Sequence, residues 1–517
     1  MKILFSTSHF GFLRNFEFAI LELAGRGHRF RLVADRSDNL GGSRTIENLQ
    51  ATCPGAIDVV RGPKVKDATW QPLGSALRLS LDYWRYLHPR YADSPKLTAR
   101  AAAQAPAMAS RLAASPGLST KRGLGLLSRM VRTLERSLPV SGEVLRFVEA
   151  ERPDLLLVTP LLYFGTQQVE YVRAARQLGI RSVLGVGSWD HLTTKGLIHE
   201  IPDRVVVWNE YQRREAREIH GIELDRVSVT GAQAYDHWFG MEPSASREEF
   251  CGRVGLRQDR SYLLYLCSSP FIAPREVEFV TRWLAAIRSA PDATLREAGA
   301  LIRPHPQNAQ QWAGVDLSEF GNIAIWPRAG ANPVDVDARA EYFDSMFFSR
   351  AVVGLNTSGL IESGIVGRSV YTVLDDEFAD TQEGTLHFRH LQGANGGLLH
   401  TASTLEDHVA QLGDLFAGRV AEDDRARRFV EAFIRPQGVD VPAARVFADV
   451  IETEGRLGDV MVSTPPAWIP AWHAALRPVA AAARIASERR RRRSRRTRES
   501  ADSSMRDKDA PTVEEVR

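Results

Sequence analysis

The sequence predicts an α/β protein of two doubly wound domains that face each other across a cleft. Short apolar runs of strand length alternate with helical stretches, a pattern typical of parallel sheets covered by helices on both faces. This alternation occurs twice, in residues 1–230 and again from residue 262. The chain has 517 residues, which is enough for two or three domains of about 150 residues each.

In the first half, the predicted strands are short apolar runs and the helices are longer stretches with helical periodicity. In chain order we predict strand Lys2–Ser6, helix Phe12–Gly25, strands Arg29–Ala34 and Asp154–Thr159, helix Thr166–Leu178, strands Arg181–Gly185 and Arg204–Trp208, helix Asn209–His220 and strand Arg226–Thr230. Between Pro63 and Leu145 the chain is rich in Ala, Leu and Arg without strand signals. We interpret residues 63–145 as a helical insertion in the first domain.

The second half repeats the same pattern. In chain order we predict strand Tyr262–Leu266, helix Arg275–Ser289, strands Ala300–Arg303, Ile323–Ile325 and Ala351–Leu355, helix Leu360–Val366 and strand Ser369–Val373. The boundary is expected within Tyr235–Gln258, where the periodicity lapses. The predicted division is therefore a first domain at 1–240, a second at 241–455, a C-terminal helix at 456–485 and a disordered tail at 486–517, first Arg-rich and then acidic.

Composition excludes several classes of protein. Hydrophobic residues make up 44% and charged residues 25% of the chain, which excludes a mainly disordered chain, a collagen-like repeat and a disulfide scaffold. No apolar run approaches the roughly 20 residues needed to cross a bilayer, and the first residues do not resemble a secretory signal. Cys53, Cys251 and Cys267 lie far apart without metal-ligand spacing. We therefore expect a cytoplasmic protein.

The basic charge is concentrated near the C-terminus. The net charge is +3, but residues Arg484 to Arg498 include nine Arg and one Glu. Residues 1–483 carry a net charge of only −2, so nucleic-acid binding is not expected. Trp468, Trp472 and an Ala-rich helix precede the Arg run, and this combination would suit the anionic headgroups of a cytoplasmic membrane face. The alternative is a final helix packed across the domains, followed by a solvated arm.

The most informative motif is Asn356-Thr357-Ser358-Gly359, which follows an apolar strand and precedes a helix. Hydroxyls and backbone N–H groups at such a position can hold an anion. Glu362 comes one helical turn after Ser358, so its carboxylate could accept both hydroxyls of a ribose. The alternative is that Thr357 and Ser358 only cap the helix and that Glu362 faces solvent.

Two further motifs follow strands of the second half. In Arg303-Pro304-His305-Pro306 the prolines restrict the loop, so that Arg303 and His305 could contact phosphate. The alternative is a rigid turn with a surface arginine. Ser268 and Ser269 also end a strand and could add hydroxyl contacts.

In the first half, candidate catalytic groups follow two strands. His9 lies in the first strand-to-helix turn, and the pKa range of histidine suits a general base. Asp190, His191 and Lys195 lie in one loop after the Arg181–Gly185 strand, where the first two could transfer protons and the lysine could meet a phosphate. The alternatives are a structural histidine and a loop held by an Asp–Lys pair. Because ligands bind beyond the carboxyl ends of parallel strands, we expect all four loops to meet at one cleft.

These residues resemble a known superfamily. The run from Trp208 to Asp236 is similar to the interdomain region of GT-B glycosyltransferases. The pair of motifs Arg303–Pro306 and Asn356–Glu362 resembles the donor half of CDP-glycerol glycerophosphotransferases and their capsule-polysaccharide relatives. UDP-N-acetylglucosamine 2-epimerases share this architecture. The resemblance covers roughly residues 1–15 and 150–380, without the helical insertion or the tail.

The resemblance implies the GT-B fold and a nucleotide-activated donor in the second domain. Thr357 and Ser358 would hold its diphosphate and Glu362 its ribose. The acceptor, a glycan, lipid-linked or small molecule, would lie against the first domain. The family's Trp-His-Gly-Thr is replaced by Trp189–Thr193, and its Asp-Tyr-Ser-Ser by Leu355–Ser358, so the expected donor is a sugar nucleotide rather than CDP-glycerol.

The expected activity is therefore a glycosyl transfer, with His9, Asp190 or His191 as the base and without a metal or other cofactor. Two alternatives remain open. One is a 2-epimerase or glycerophosphotransferase of the same fold, and the other is a GT-B protein that binds nucleotide without catalysis.

Overall fold

The computed structural model describes residues 1–36, 41–63, 69–420, 424–458, 460–462 and 471–489. It contains two separate parallel sheets, as the fold class predicted. The strands of the first sheet are β1 (Lys2–Thr7), β2 (Arg29–Ala34), β3 (Ile57–Val59), β4 (Leu155–Thr159), β5 (Arg181–Gly185), β6 (Arg204–Val207) and β7 (Val227–Val229). The strands of the second are β8 (Tyr262–Leu266), β9 (Gly299–Arg303), β10 (Ile323–Ile325), β11 (Ala351–Gly354), β12 (Val370–Val373) and β13 (Leu399–Ala402).

Helices cover both sheets. Those before β8 are α1 (Glu17–Gly25), α2 (Gly42–Thr52), α3 (Gln71–Tyr86), α4 (Pro95–Gln104), α5 (Ala107–Ala114), α6 (Lys121–Arg136), α7 (Gly142–Glu151), α8 (Val169–Gln177), α9 (His191–Thr194), α10 (Glu210–His220) and α11 (Arg247–Val254). Those after β8 are α12 (Glu276–Arg288), α13 (Ala293–Arg296), α14 (Val336–Phe347), α15 (Gly359–Ile365), α16 (Leu386–Gly393), α17 (Leu405–Phe416), α18 (Arg425–Phe433), α19 (Ala443–Arg456) and α20 (471–489). None of these described helices is long and apolar enough to span a membrane.

The two sheets have the same strand order. The first runs β3-β2-β1-β4-β5-β6-β7 and the second β10-β9-β8-β11-β12-β13. In each sheet the order reverses beside the first strand, between β1 and β4 and between β8 and β11. Crevices form at such reversal points, outside the carboxyl ends of the strands. The fold therefore places one ligand edge on each domain.

Apolar residues on both sides of the strands form the cores. In β1, Ile3 and Phe5 pack with one set of helices and Leu4 with the other, because successive side chains of a strand point to opposite faces. Strands β3 and β13 were not predicted from the sequence, and neither were several helices, among them α2, α14 and α16 to α18. Both strands lie at an edge of their sheet and are partly exposed, so they lack the continuous apolar run of a central strand. The predicted helix Phe12–Gly25 is a 3-10 turn at Phe10–Asn15 followed by α1.

The helical insertion consists of α3 to α6, and residues 69–151, all of which are described, contain no strand. Its helix α4 reaches the second domain, where Lys96 pairs with Asp380 and Ser94 hydrogen-bonds to the carbonyl of Gly384. The guanidinium of Arg100 lies 4.6 Å from the ring centre of Phe271 in the same domain. The insertion therefore bridges the two domains.

The chain crosses between the domains twice at one place. Ala232 donates its N–H to the carbonyl of Ile434, so the outgoing and returning segments are hydrogen-bonded to each other. Asp236 accepts the N–H groups of Ala443 and Ala444 at the start of α19 and pairs with Arg435 at 2.9 Å. The two crossings are therefore adjacent and joined by hydrogen bonds and an ion pair.

The C-terminal segment departs from the predicted division. Helix α19, counted with the second domain, packs on the first sheet, where Phe447 contacts Phe16 at 5.8 Å between ring centres and Glu454 pairs with Arg181 and Arg204. The division at residue 455 is therefore wrong, because it follows chain order and not packing. The last helix is α20, later than the predicted 456–485. Residues 486–489, predicted to be disordered, are helical.

Helix α20 packs against the insertion and not across both domains. Trp472 donates its indole N–H to the hydroxyl of Ser137 at 2.8 Å, and Ala480 contacts Leu73 and Leu138. Trp468 and residues 490–517, which include most of the Arg run and the acidic tail, lie outside the described residues.

Candidate functional site

A cavity of about 420 Å³ lies between the two domains, beyond the carboxyl ends of both sheets. Loops after β1, β5, β9 and β11 all reach it, as expected from the sequence. Nine of the predicted site residues line it: His9, His191, Lys195, Arg303, His305, Thr357, Ser358, Gly359 and Glu362. Four do not: Asp190, Ser268, Ser269 and Asn356. The geometry explains the position of each of these four.

Asp190 supports the loop that carries two of the lining residues. Its carboxylate accepts hydrogen bonds from the hydroxyls of Ser188 at 2.6 Å and Thr194 at 2.8 Å, and it pairs with Lys195 at 3.2 Å. Burial opposes ionisation, but the charge of Lys195 and the hydrogen bond from Ser188 hold the pKa of Asp190 well below its usual range. This arrangement corresponds to the structural alternative, a loop held by an Asp–Lys pair.

Ser268 and Asn356 lie beneath the cavity in the second domain. The Ser268 hydroxyl accepts the backbone N–H of Asn356 at 3.4 Å, and the Asn356 amide donates to the carbonyl of Thr381 at 2.6 Å. The Ser269 carbonyl accepts the N–H groups of Ile272 and Ala273. These polar groups hold the ends of β8 and β11 together, since a buried polar group needs a hydrogen-bond partner.

Two histidines and an aromatic ring form the wall of the first domain. The Phe12 ring lies 4.5 Å from His9 and 5.9 Å from His191, measured between ring centres. Burial lowers the pKa of His191 to about 4, against the opposing effect of Asp190. Its Nδ1 atom is buried without a hydrogen-bond partner in the described part of the chain. His191 is therefore a neutral imidazole at pH 7, with one ring nitrogen available to a ligand.

The Thr357-Ser358 motif touches the first domain directly. The hydroxyl of Ser358 accepts the indole N–H of Trp189 at 3.1 Å and makes no capping hydrogen bond to α15. The ring of Trp189 also meets the His387 ring at 4.7 Å. The alternative in which Ser358 caps the helix is therefore not observed.

Glu362 is held inside the cavity and does not face solvent. The hydroxyl of Tyr342 donates to its Oε2 atom at 2.7 Å. Burial raises the pKa of Glu362, while Tyr342 and Arg14 act in the opposite direction. Tyr235 also lines this part of the cavity, and burial raises its pKa. The result is a carboxylate surrounded by two tyrosine side chains, with its Oε1 atom left to other partners.

Arg303 lies on the wall formed by the second domain, and one of its N–H donors has no hydrogen-bond partner among the described residues. Its guanidinium lies 4.8 Å from the ring centre of Tyr342 and pairs with Glu341 at 3.4 Å. The Nη1 atom is buried and has no partner among the described residues. A buried donor of this kind costs about 1–3 kcal/mol when it stays unsatisfied, so it indicates a ligand acceptor at this position.

His305 is a half-buried neutral group beside Arg303. Burial and, secondly, the charge of Arg14 lower its pKa to about 4. Its Nδ1 atom accepts the backbone N–H of Gln307 at 3.1 Å. Only the other ring nitrogen remains for a ligand, and it would act as a neutral donor.

Several lining residues were not predicted from the sequence: Arg14, Tyr163, Tyr235, His237, Trp238, Arg339 and Tyr342. Most lie within turns or helices rather than directly after a strand. The indole N–H of Trp238 and the Nδ1 atom of His237 are buried without a partner in the described structure. The Trp208–Asp236 resemblance pointed to this region, but it did not identify these side chains.

The cavity is lined by more cations than anions. Arg14 is exposed and pairs with no acid of the described chain, whereas Arg339 binds Glu17 of the facing domain at 2.5 Å. Together with Lys195 and Arg303, these arginines make four cations in the lining. The lining contains two acids, Glu17 and Glu362, so the cavity suits an anionic ligand. No cluster of three or more His, Cys, Asp or Glu that could hold a metal occurs among the residues described.

Comparison with known proteins identifies the fold. No protein-family model and no curated protein sequence matches the chain. Among solved structures, a Listeria monocytogenes protein assigned as a UDP-N-acetylglucosamine 2-epimerase is similar with a TM-score of 0.51 and 11% identity, over 90% of this chain and 99% of that one.

Two further solved structures are more distant. The UDP-GlcNAc 2-epimerase of Methanocaldococcus jannaschii has a TM-score of 0.48 and 10% identity, over 88% of this chain and 100% of its own. The wall teichoic acid polymerase TagF has a TM-score of 0.42 and 10% identity, over 88% and 89%. At these identities a likeness shows the fold alone. With two facing parallel sheets and a double crossing between them, the protein has the GT-B fold.

Proposed function

We propose that the protein is an enzyme that transfers a sugar from a nucleotide-activated donor to an acceptor hydroxyl. One observation carries this proposal. The interdomain cavity brings a tyrosine-bound carboxylate and a buried, unsatisfied arginine donor together with a neutral imidazole on the facing domain. These are the groups needed to hold a ribose, a phosphate and an acceptor hydroxyl, respectively.

The donor would bind to the second domain. Glu362 would accept the ribose hydroxyls through its free Oε1 atom, and the Nη1 atom of Arg303 would donate to the diphosphate. The hydroxyls of Thr357 and Ser358 line the space next to Glu362. The exposed, unpaired Arg14 would approach the diphosphate from the facing domain, since the cation is not neutralised by any described acid.

The acceptor would lie against the first domain, near His191. In the reaction His191 removes the proton of the acceptor hydroxyl, and the acceptor oxygen forms a bond to the anomeric carbon. The bond from that carbon to the phosphate oxygen breaks, and the nucleoside diphosphate leaves with both electrons. Arg303 and Arg14 would stabilise its negative charge, because fixed cations in a cavity with little water act strongly on a developing anion.

The alternatives differ from this reaction in what they consume. A 2-epimerase would convert the donor without an acceptor, and a glycerophosphotransferase would use CDP-glycerol instead of a sugar nucleotide. A non-catalytic protein would bind the nucleotide without turnover. Transfer without a metal remains a prediction.

The donor site is tested by thermal stabilisation with UDP-, GDP-, CDP- and dTDP-linked sugars and with CDP-glycerol. A donor present at a hundred times its dissociation constant should stabilise the protein by about 3 kcal/mol. Glu362→Gln should reduce this stabilisation, since a neutral amide oxygen accepts hydrogen bonds more weakly than a carboxylate and the new NH2 group would face the Tyr342 hydroxyl. The exposed Glu406 of the second domain gives a matched control, and Glu406→Gln should respond like the wild type.

Either of two results would contradict the proposal. The absence of stabilisation by every donor would favour the non-catalytic alternative. Equal stabilisation of the wild type and Glu362→Gln would show that the donor binds elsewhere. Product analysis with donor alone then separates epimerisation from transfer.

A further inference from the structure

A second cavity, of about 630 Å³ and open to solvent, lies between the helical insertion and the rest of the first domain, and it shares no lining residue with the interdomain cavity. It lies between the end of α3, helix α6 and helix α10. Leu81, Trp84, Leu124 and Leu197 form apolar walls, and Lys121 and Arg132 are at its edge. Its volume is within the range of about 300–1,000 Å³ found for small-molecule sites.

The packing of α6 shows that this cavity is not part of an ordinary core. Of the 16 residues of α6, only Glu135 is fully buried. Leu124, Leu127 and Val131, which form the apolar side of the helix, are only partly buried. Protein interiors are normally packed as closely as organic crystals. Leu124 lines the cavity, whereas Leu127 and Val131 pack against the core of the insertion. The unfilled space therefore lies between Leu124 and the apolar residues at the end of α3, and it indicates an apolar occupant.

The charged residues at the edge of the cavity indicate whether its occupant is an anion or a cation. Lys121 and Arg132 are exposed and pair with no acid of the described residues. Arg90 also lines the cavity, whereas Glu218 is the only acid that does. The pKa of His88, at the same edge, is lowered by burial and then by Arg90 and Lys121. The mouth of the cavity is therefore cationic.

We infer that the helical insertion binds an amphipathic anion, with its apolar chain against Trp84 and Leu124 and its anionic head at Lys121 and Arg132. The inner wall of the site includes Arg85, which also holds the loop that carries His191. The occupant would thus lie beside the catalytic loop without entering the interdomain cavity. This binding does not depend on the proposed transfer, and it is measured without turnover.

The test measures the binding of dodecyl phosphate to the chain of 517 residues by isothermal titration calorimetry. The dodecyl phosphate is kept below the concentration at which it forms micelles. We expect one binding site in the wild type. Lys121→Gln with Arg132→Gln should weaken binding at least tenfold. Arg122→Gln with Arg129→Gln removes two exposed charges of the same helix that do not line the cavity, so this pair should bind like the wild type. The C-terminal Arg run is present in every variant.

A second variant tests the apolar part. Leu124→Trp should narrow the cavity beside Trp84 and weaken binding at least tenfold while leaving both cations in place. Inorganic phosphate should not bind, and the neutral dodecyl maltoside should bind at least tenfold more weakly than dodecyl phosphate.

Three results would overturn the inference. The first is equal binding by the wild type and either Leu124→Trp or the Lys121 and Arg132 pair. The second is equal affinity for the neutral and the anionic amphiphile. The third is capture by phosphatidylglycerol vesicles without binding of monomeric dodecyl phosphate, which would indicate a membrane surface instead of a cavity site.

Discussion

At the scale of the residue, burial determines what His191 can do. The imidazole is enclosed by the first domain, and its pKa falls to about 4 because the charged form loses its hydration. Asp190, directly beside it in sequence, raises that pKa but does not restore the ordinary value, since its carboxylate is already bound to Ser188, Thr194 and Lys195. The two neighbours therefore have different roles: Asp190 holds the loop, and His191 remains neutral and able to accept a proton.

This difference predicts the behaviour of His191→Gln. The variant should lose about 10²- to 10⁴-fold in kcat, the usual contribution of a general base, and it should retain stabilisation by the donor, which binds to the other domain. As the pH falls through about 4, wild-type activity should decline because His191 becomes protonated. Steady-state kinetics with the donor and acceptor identified by the binding screen provide the measurement. A kcat within twofold of the wild type would exclude His191 as the base and leave His9 as the candidate.

At the scale of the element, α3 of the insertion anchors the loop that carries His191. The guanidinium of Arg85 donates to four carbonyls of this loop. The carbonyls of Leu192, Thr193 and Gly196 accept at 2.7 Å, and that of Lys195 accepts at 3.0 Å. The hydroxyl of Tyr86 donates to the Lys195 carbonyl as well, at 2.7 Å. The Leu192 carbonyl also bonds to His220 at 2.9 Å, and for the Thr193 and Gly196 carbonyls Arg85 supplies the side-chain donor. The insertion thus orders part of the catalytic wall.

Arg85→Lys is therefore expected to loosen the loop although the charge is conserved, because an ammonium group cannot reach four carbonyls as the guanidinium fork does. The loss in free energy of unfolding should be about 3 kcal/mol, from hydrogen bonds of a charged donor. Amide hydrogen exchange should accelerate at residues 191–196, with kcat reduced and donor stabilisation unchanged. Arg111→Lys, on the exposed side of α5, is the matched control. Unchanged exchange in that loop would refute the anchoring role.

At the scale of the whole molecule, acid should destabilise the fold through its buried histidines. Burial lowers the pKa of His191, His305 and His387 to about 4, and that of His237 and His408 to about 3. Histidine in an unfolded chain has a pKa of about 6.5. Between these values the unfolded state binds more protons, so stability falls as the pH falls from about 6.5 towards 4. Glu276, whose pKa burial raises to about 8, and Glu362, whose pKa burial also raises, act in the opposite direction but are fewer than these histidines.

His408 provides the test, because it is buried far from the cavity and accepts the indole N–H of Trp283 at 3.0 Å. In urea titrations the wild type should lose stability between pH 7 and pH 5. His408→Gln should lose about 2 kcal/mol less over the same interval, which is the linkage contribution of one such group. The comparison concerns the change with pH, so a constant cost of the substitution does not affect it. Parallel losses in both proteins would contradict the prediction.

Local sequence patterns were sufficient for the fold class and for the positions of the four loops. Strand length, helical periodicity and the residues at strand ends act over a few positions, so strands such as Lys2–Thr7 and Tyr262–Leu266 were predicted nearly to the residue. Because the carboxyl ends of parallel strands lie at one edge of their sheet, the sequence also predicted that these loops meet. Only the tertiary structure decided which of their polar side chains face the ligand. Ser268 and Asn356 bond to each other beneath the cavity, and Glu362 depends on Tyr342, which lies 20 positions earlier. The direction and charge state of a side chain at a strand end are determined by neighbours from distant segments, and no local pattern contains them.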